Sequence, residues 1–462
     1  MKFFVLILIV LLPVKTFGDN EHAQKSLEIY RTLVEIPTVA GRGNIPKAMV
    51  FLVDELIKGG FESEDIQLIE SKGEPGLIVR YPAVEQTTAK PILFLGHVDV
   101  VEALDSDWER PPFALTEDDT FYYGRGTIDN KYGVAMLTSS FIELQRQGFQ
   151  PSRDLYLVFT GDEESTMFST EQLAYQTPAL ADAEFAINSD AGGGTLTSES
   201  KPLAFMIQAA EKTYATYILT IKNPGGHSSR PRPDNAIYDL ATALKNIEAY
   251  EFPTNSSSVT RAFFKQTGEQ LGGELGAAMQ AFALNPDDEA AATTLGTNAL
   301  YVSTTRTTCV ATMLHAGHAE NALAQSAAAT INCRLFPGEK IEDVQAKLIE
   351  VIDNPAAELV LDIPYPESPT SELRDDVTAA ITVAANNIHP DLPVIPYMTP
   401  GATDGMHFRS AGIPTWGVSG GFMRPEDMFA HGLNERLPKQ AFEDGLYFWI
   451  DLIKELSDQL QK

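Results

Sequence analysis

Apolar side chains along this chain recur with two different periods, and the period switches at definite points. Over residues 20–58 they return every three to four positions, through Leu27, Tyr30 and Leu33 and again through Ala48, Phe51, Leu52 and Leu56, which predicts helix. Short unbroken apolar runs follow at 76–79, 92–95, 155–159 and 185–187, each bounded by Gly, Pro or charge. Runs of that length with such flanks predict buried strands, and a helical stretch at 131–147 lies between two of them. Helix alternating with buried strand implies an α/β fold, a sheet with helices on both faces.

Around Ile207 the pattern changes. Residues 214–221 alternate apolar and polar like a strand with one open face, and 234–250 read as an amphipathic helix. Residues 251–300 are rich in Ala, Gln and Glu, read mostly as helix and carry no chemical motif. Two strands at 304–314 and 327–336 flank an Asn-containing turn, followed by helix at 341–351 and strand at 358–363. Strand, helix, two strands, helix, strand is a ferredoxin-like α+β plan. A helix resumes near Leu373, and short apolar runs at 394–396 and 413–418 alternate with loops at 399–404 and around His431 before a last helix at 440–460. The first domain thus continues after an insertion, giving parts at 19–208 and 367–462 around an inserted lid or dimerisation-type domain at 209–366.

Composition narrows the function classes. A chain of 462 residues exceeds one ordinary core. Its formal charge of −29 argues against nucleic acid, whose binding rests on Lys and Arg neutralising phosphates, and against anionic membrane surfaces. Residues 1–18 read as a signal peptide: Lys2 opens it, residues 3–14 are an apolar run too short to span a bilayer comfortably, and Thr16-Phe-Gly18 ends in a small residue. That predicts an exported protein, periplasmic or secreted, with no stable membrane insertion after cleavage; a retained anchor is the alternative. Cys309 and Cys333 are the two cysteines, and either a disulfide or two buried thiols fits them.

Five segments each offer a metal-ligating side chain at what reads as a strand end: His97 in Gly-His-Val-Asp99, Asp129 in Gly-Arg-Gly-Thr-Ile-Asp-Asn-Lys, the pair Glu163-Glu164, Asp190, and His431 in Ala-His-Gly-Leu-Asn-Glu435. Two His and three carboxylates with one spare Glu are what a pair of zinc ions and a general base require. Adjacent acids such as Glu163 and Glu164 repel each other, and a cation relieves that. A carboxylate such as Asp129 can bridge two ions, although Asp there also suits a helix N-cap. Asp99 is placed to fix the tautomer of His97. His407, flanked by Met406 and Phe408, reads as packing or substrate contact.

With Gly226-His227-Ser-Ser-Arg-Pro, Asn332-Cys-Arg334-Leu-Phe-Pro-Gly and Gly401-Ala-Thr-Asp404 added, these segments resemble the co-catalytic zinc peptidases that include aminoacylase, carboxypeptidase G, acetylornithine deacetylase and succinyl-diaminopimelate desuccinylase. The helical stretch 251–300 and the segment around Asn321 are similar to the exported or vacuolar carboxypeptidase and N-acyl-amino-acid hydrolase branch. The resemblance implies a zinc-exopeptidase-like mixed sheet with the ferredoxin-like domain inserted. It also implies one zinc on His97 and Asp190, a second on Glu164 and His431, and Asp129 between them; Co2+ or Mn2+ suits the same donors. Glu163 would be the general base acting on a metal-bridging water, Asp99 would support His97, and His227 would help hold the scissile carbonyl oxygen. Asn321, Arg334 and Gly401 would bind substrate, Arg334 through a free carboxylate. A cis peptide after Asp129 and a homodimer are further features of such relatives. One departure is Asn321-Ala-Leu-Ala-Gln, where relatives commonly carry Val-x-Pro near the Asn.

The expected activity is hydrolysis of an amide next to a free carboxylate, in a peptide or an N-acyl amino acid. Two other readings compete: a deacylase of a small N-acylated amino-acid precursor, and a non-catalytic metal- or peptide-binding protein.

Overall fold

The computed structural model describes residues 21–84 and 87–458. The signal-peptide reading at 1–18 and the end of the helix read at 440–460 lie outside them. No helix among the described residues is long and apolar enough to cross a membrane.

A ten-stranded mixed sheet forms the body. At its centre Ile92–His97 runs parallel to Leu155–Thr160 on one side and to Phe185–Asn188 on the other. All residues of these three strands are buried. Alternate side chains serve opposite faces: Ile92 and Phe94 join a large core with the helices Glu21–Glu35, Lys131–Arg146 and Lys439–Asp458, while Leu93 and Leu95 join a smaller one with Leu173, Phe408 and Ile413. Cover on both faces is why these strands are continuously apolar in sequence.

The predicted helix over 20–58 is two helices, Glu21–Glu35 and Ile45–Lys58. Pro37 interrupts the first, Gly41 and Gly43 take left-handed φ of 79° and 70°, and Pro46 opens the second. The strand Pro202–Glu211 runs through the region where the pattern changes, and it pairs in parallel with Val394–Thr399.

A second sheet has the order Thr308–Ala316, Ser326–Leu335, Thr213–Lys222, Ala357–Leu361, all antiparallel. With the helices Ala236–Ala249 and Ile341–Ile352 it closes a separate core around Tyr217, Leu219 and Ile331. That strand order and helix placement is the ferredoxin-like plan read from the sequence. Its outer strand starts at Thr308 rather than 304, because Val302–Thr305 is helical, and Cys309 is disulfide-bonded to Cys333 directly opposite. The helical stretch forms its own small core of Phe264, Met279, Phe282 and Leu295, but Val259 from its first helix enters the core of the main body.

Candidate metal centre

Three of the five expected ligand segments leave the carboxyl ends of the three central parallel strands. His97 is opposite Thr160, three residues before Glu163, and Leu95 is opposite Asn188, two residues before Asp190. Open α/β sheets place ligands along this edge. The other two are not at strand ends, contrary to the sequence reading. Asp129 sits in the turn before the helix Lys131–Arg146, and His431 lies in a loop with a left-handed φ of 62°. A small three-stranded sheet brings these loops together: Arg436–Pro438, just after His431, pairs with Phe121–Tyr123, just before Asp129.

The two oxygens of Asp129 face two different imidazoles. Oδ1 is 2.9 Å from His97 Nε2, and Oδ2 is 3.2 Å from His431 Nε2. Asp190 Oδ1 is 3.6 Å from His97 Nε2, and Glu164 Oε1 is 2.8 Å from His431 Nε2. Donor atoms of His97, Asp129 and Glu164 all fall within 4.8 Å of one another. Two donor sets therefore share one carboxylate, His97 and Asp190 on one side and His431 and Glu164 on the other. The set fits a pair of divalent ions in ligand type and in division. The peptide between Asp129 and Asn130 is cis, as the resemblance implied.

Asp99 holds three members of the group in place. Its Oδ1 and Oδ2 accept from the backbone N–H of Glu163 (3.1 Å) and Glu164 (3.0 Å). His97 Nδ1 points at the Asp99 carbonyl (3.1 Å) and at its carboxylate (3.4 Å), leaving Nε2 to face the ligands.

Electrostatics match this crowding. Burial pushes the Asp190 carboxyl up to about 7, with the charge of Asp129 adding to it. Burial also places Glu163 well above the carboxylate range; His97 opposes the shift, while Asp190, Asp404 and Glu164 reinforce it. Asp129 goes the other way: burial opposes its ionisation, but hydrogen bonds from His431 and His97 outweigh it. Hydrogen bonds to Asp129 and Glu164 raise His431 to about 10. Groups tuned this far from their ordinary values mark a functional site, and cations bound here would favour the deprotonated carboxylates and neutral imidazoles.

The expected substrate groups fall on the second sheet, on the loop that carries Gly401 and on a short strand pair. Arg334 Nη1 donates to the Pro400 carbonyl (3.3 Å), so the second sheet meets the loop that carries Gly401. Its guanidinium stacks over Tyr214 at 4.3 Å, and Tyr214 meets Tyr365 edge-on at 5.3 Å. His227 and Asn321 come together because Gly226–His227 pairs with Ala322–Leu323 and the Ser228 N–H donates to the Asn321 carbonyl. His227 is exposed, and its Nδ1 accepts from Ser229. His407 is buried beside Tyr175, where loss of water pulls its imidazole down to about 4.

Two buried acids were assigned no role by the sequence reading. Asp404 accepts from Thr160 (2.7 Å) and Thr170 (2.5 Å), tying the Gly401 loop to the strand that leads to Glu163. Glu435 accepts from Arg125 and from the backbone around Asp129.

The model of the peptidase family M20/M25/M40 matches residues 93–455, a span that holds all five candidate ligands. The chain belongs to this family. As an M20/M25/M40 protein it is an enzyme, a metal-dependent amide hydrolase. It is 30% identical over 378 residues to the N-fatty-acyl-amino acid synthase/hydrolase PM20D1 of Xenopus tropicalis, covering 79% of this chain and 72% of that protein. It is 30% identical over 386 residues to the probable carboxypeptidase S-like 2 of Dictyostelium discoideum, covering 80% and 72%. Its fold matches the M20 family metallo-carboxypeptidase Sso-CP2 of Sulfolobus solfataricus with a TM-score of 0.72 at 19% identity, over 94% of this chain and 99% of that one.

Proposed function

We propose that this enzyme cleaves the amide bond of peptides or N-acyl amino acids on the acyl side of a residue that keeps its free carboxylate, using two zinc ions and Glu163. The observation that carries the reading is the Asp129 carboxylate, with one oxygen toward each of two imidazoles beside the part-buried Glu163. His97 and Asp190 would hold one ion, His431 and Glu164 the other, and Asp129 both. When bound, the pair would lower the pKa of water and polarise a carbonyl.

The residues of the chain do the rest. Glu163, its affinity for a proton raised by burial, takes one from the attacking water and returns it to the leaving nitrogen. Asp99 keeps the Glu163–Glu164 turn and the His97 ring in register for that transfer. Arg334, fixed over Tyr214 and against Pro400, takes the free carboxylate, since its planar fork matches that group. His227 and Asn321, paired on the inserted domain at 209–366, close on the carbonyl side. Both relatives named above bear names that describe substrates with a carboxylate beside the amide, which supports this choice. The segment 1–18 supports export, and zinc is the first choice of metal among zinc, cobalt and manganese.

The test strips the purified protein with a chelator, reloads it with each metal in turn, and assays dipeptides and N-acyl amino acids beside their C-terminal amides. Activity should vanish with the metal, return best with zinc, and favour the free acids. Turnover indifferent to chelation would refute the mechanism.

A further inference from the structure

Glu435 is fully buried four residues after His431, and both of its oxygens are used on a stretch of chain more than three hundred residues away. Oε1 accepts from the backbone N–H of Ile128 (2.7 Å) and Asp129 (3.2 Å). Oε2 accepts from Arg125 Nη1 (2.6 Å) and from the N–H of Gly126 (3.0 Å). The Glu435 carbonyl accepts from the Gly124 N–H (3.0 Å), and Arg125 Nη2 reaches back to the His431 carbonyl (3.4 Å). Segment 124–129 thus wraps one carboxylate as backbone N–H groups wrap an anion in a nest. A plain buried ion pair would need Arg125 alone; here three backbone amides converge as well, one of them that of Asp129 itself.

We infer that Glu435 is a positioning residue that locks the Asp129 turn and the His431 loop into one unit, and so sets the geometry of one half of the metal pair. The inference rests on the metal-centre reading given above. His97 and Asp190 are placed by the central strands, whose pairing is independent of this clamp. His431 comes from a loop, and its side chain is half exposed. The half-site of His431, Glu164 and Asp129 Oδ2 therefore takes two of its three groups, His431 and Asp129, from the elements Glu435 joins, while the half-site of His97, Asp190 and Asp129 Oδ1 takes only Asp129 from them.

Glu435→Gln separates the two. Its amide presents an NH2 to two positions that already hold N–H donors, whichever way it is turned. Zinc would be titrated into metal-free wild-type and variant protein against a chromophoric chelator. Wild type should bind two ions. In the variant one site should lose about 10–100-fold in affinity, the usual effect of removing a group that orients a ligand, while the other loses at least several-fold less. Hydrogen exchange on the metal-free proteins supplies a second readout: amides 126–129 should exchange faster in the variant, and those of 93–97 should not. Two unchanged sites, or equal weakening of both, would overturn the inference. A wild type that binds no zinc would instead sink the metal-centre reading. If Glu435→Gln does not fold, Arg125→Lys removes the fork between Glu435 and His431 and should weaken the same single site.

Discussion

Replacing Arg334 by Ala tests the choice of substrate more sharply than any other change. In the structure its Nε donates to Asn332 Oδ1 (3.3 Å) and its Nη1 to the Pro400 carbonyl (3.3 Å). Those bonds engage two of the five guanidinium N–H groups, and the ring of Tyr214 fixes the plane of the rest. A hydrogen bond to a charged partner contributes about 1.5–3 kcal/mol. Two such bonds to a substrate carboxylate, discounted for partial exposure of the arginine, come to about 3 kcal/mol. At 1.36 kcal/mol per tenfold this is a loss of about 10²-fold in kcat/KM. The assay compares an N-acyl amino acid with its C-terminal amide on wild type and Arg334→Ala, as a double-mutant cycle. The free acid should lose about 10²-fold on mutation and the amide little, giving a coupling near 3 kcal/mol. Equal losses on both substrates would show that Arg334 supports the fold or the Pro400 loop and does not bind the carboxylate.

Three further outcomes follow from the packing and electrostatics described. Glu163→Gln should retain both metals by elemental analysis yet lose about 10²–10⁴-fold in kcat, because the proton shuttle is gone while the ligands stay; full activity would remove Glu163 from that role. Gly133→Ala should lower the thermal midpoint, since a Cβ there would lie 2.6 Å from Ser189 Cβ, next to Asp190; overpacking of this kind costs about 1–3 kcal/mol, and an unchanged melting curve would show that the Ser189 strand end yields freely. Asp444 is buried, with Gln440 bonded to one oxygen and the other without a hydrogen-bond partner among the described residues; burial lifts its carboxyl to about 7. A group raised in the folded state stabilises most when protonated, below its unfolded pKa near 4, and that stability is lost as pH rises through about 7. Metal-free Asp444→Asn should therefore gain thermal stability relative to wild type between pH 4 and pH 8, and a pH-independent difference would count against the assignment.

The central strands were legible because a sheet covered on both faces demands unbroken apolar runs, and the candidate ligands that follow them were legible with them. Asp129 and His431 were found by residue type but placed at strand ends, because a loop has no periodicity to read. The strand Pro202–Glu211 was hidden by its polar residues: Gln208 and Glu211 are buried against Arg409, and that pairing is visible only in three dimensions. Asp404 and Glu435 carried no sequence signal beyond motif membership in a chain with 63 acidic residues. What distinguishes them is their partners, Thr160 and Thr170 for one and Arg125 to Asp129 for the other, which are remote along the chain. The break in the first helical region was written in Pro37, Gly41 and Gly43, but the apolar spacing on either side masked it.

The parallel pairing of His97 with Thr160 makes catalysis a stringent reporter of strand alignment. Sliding Ile92–His97 by a single position would swing the imidazole to the opposite side of the sheet and put Gly96 where the ligand belongs. A misaligned molecule could still look helical, compact and soluble, yet it would lack turnover altogether. Recovered activity after refolding would count only chains in which these strands had found their one correct alignment.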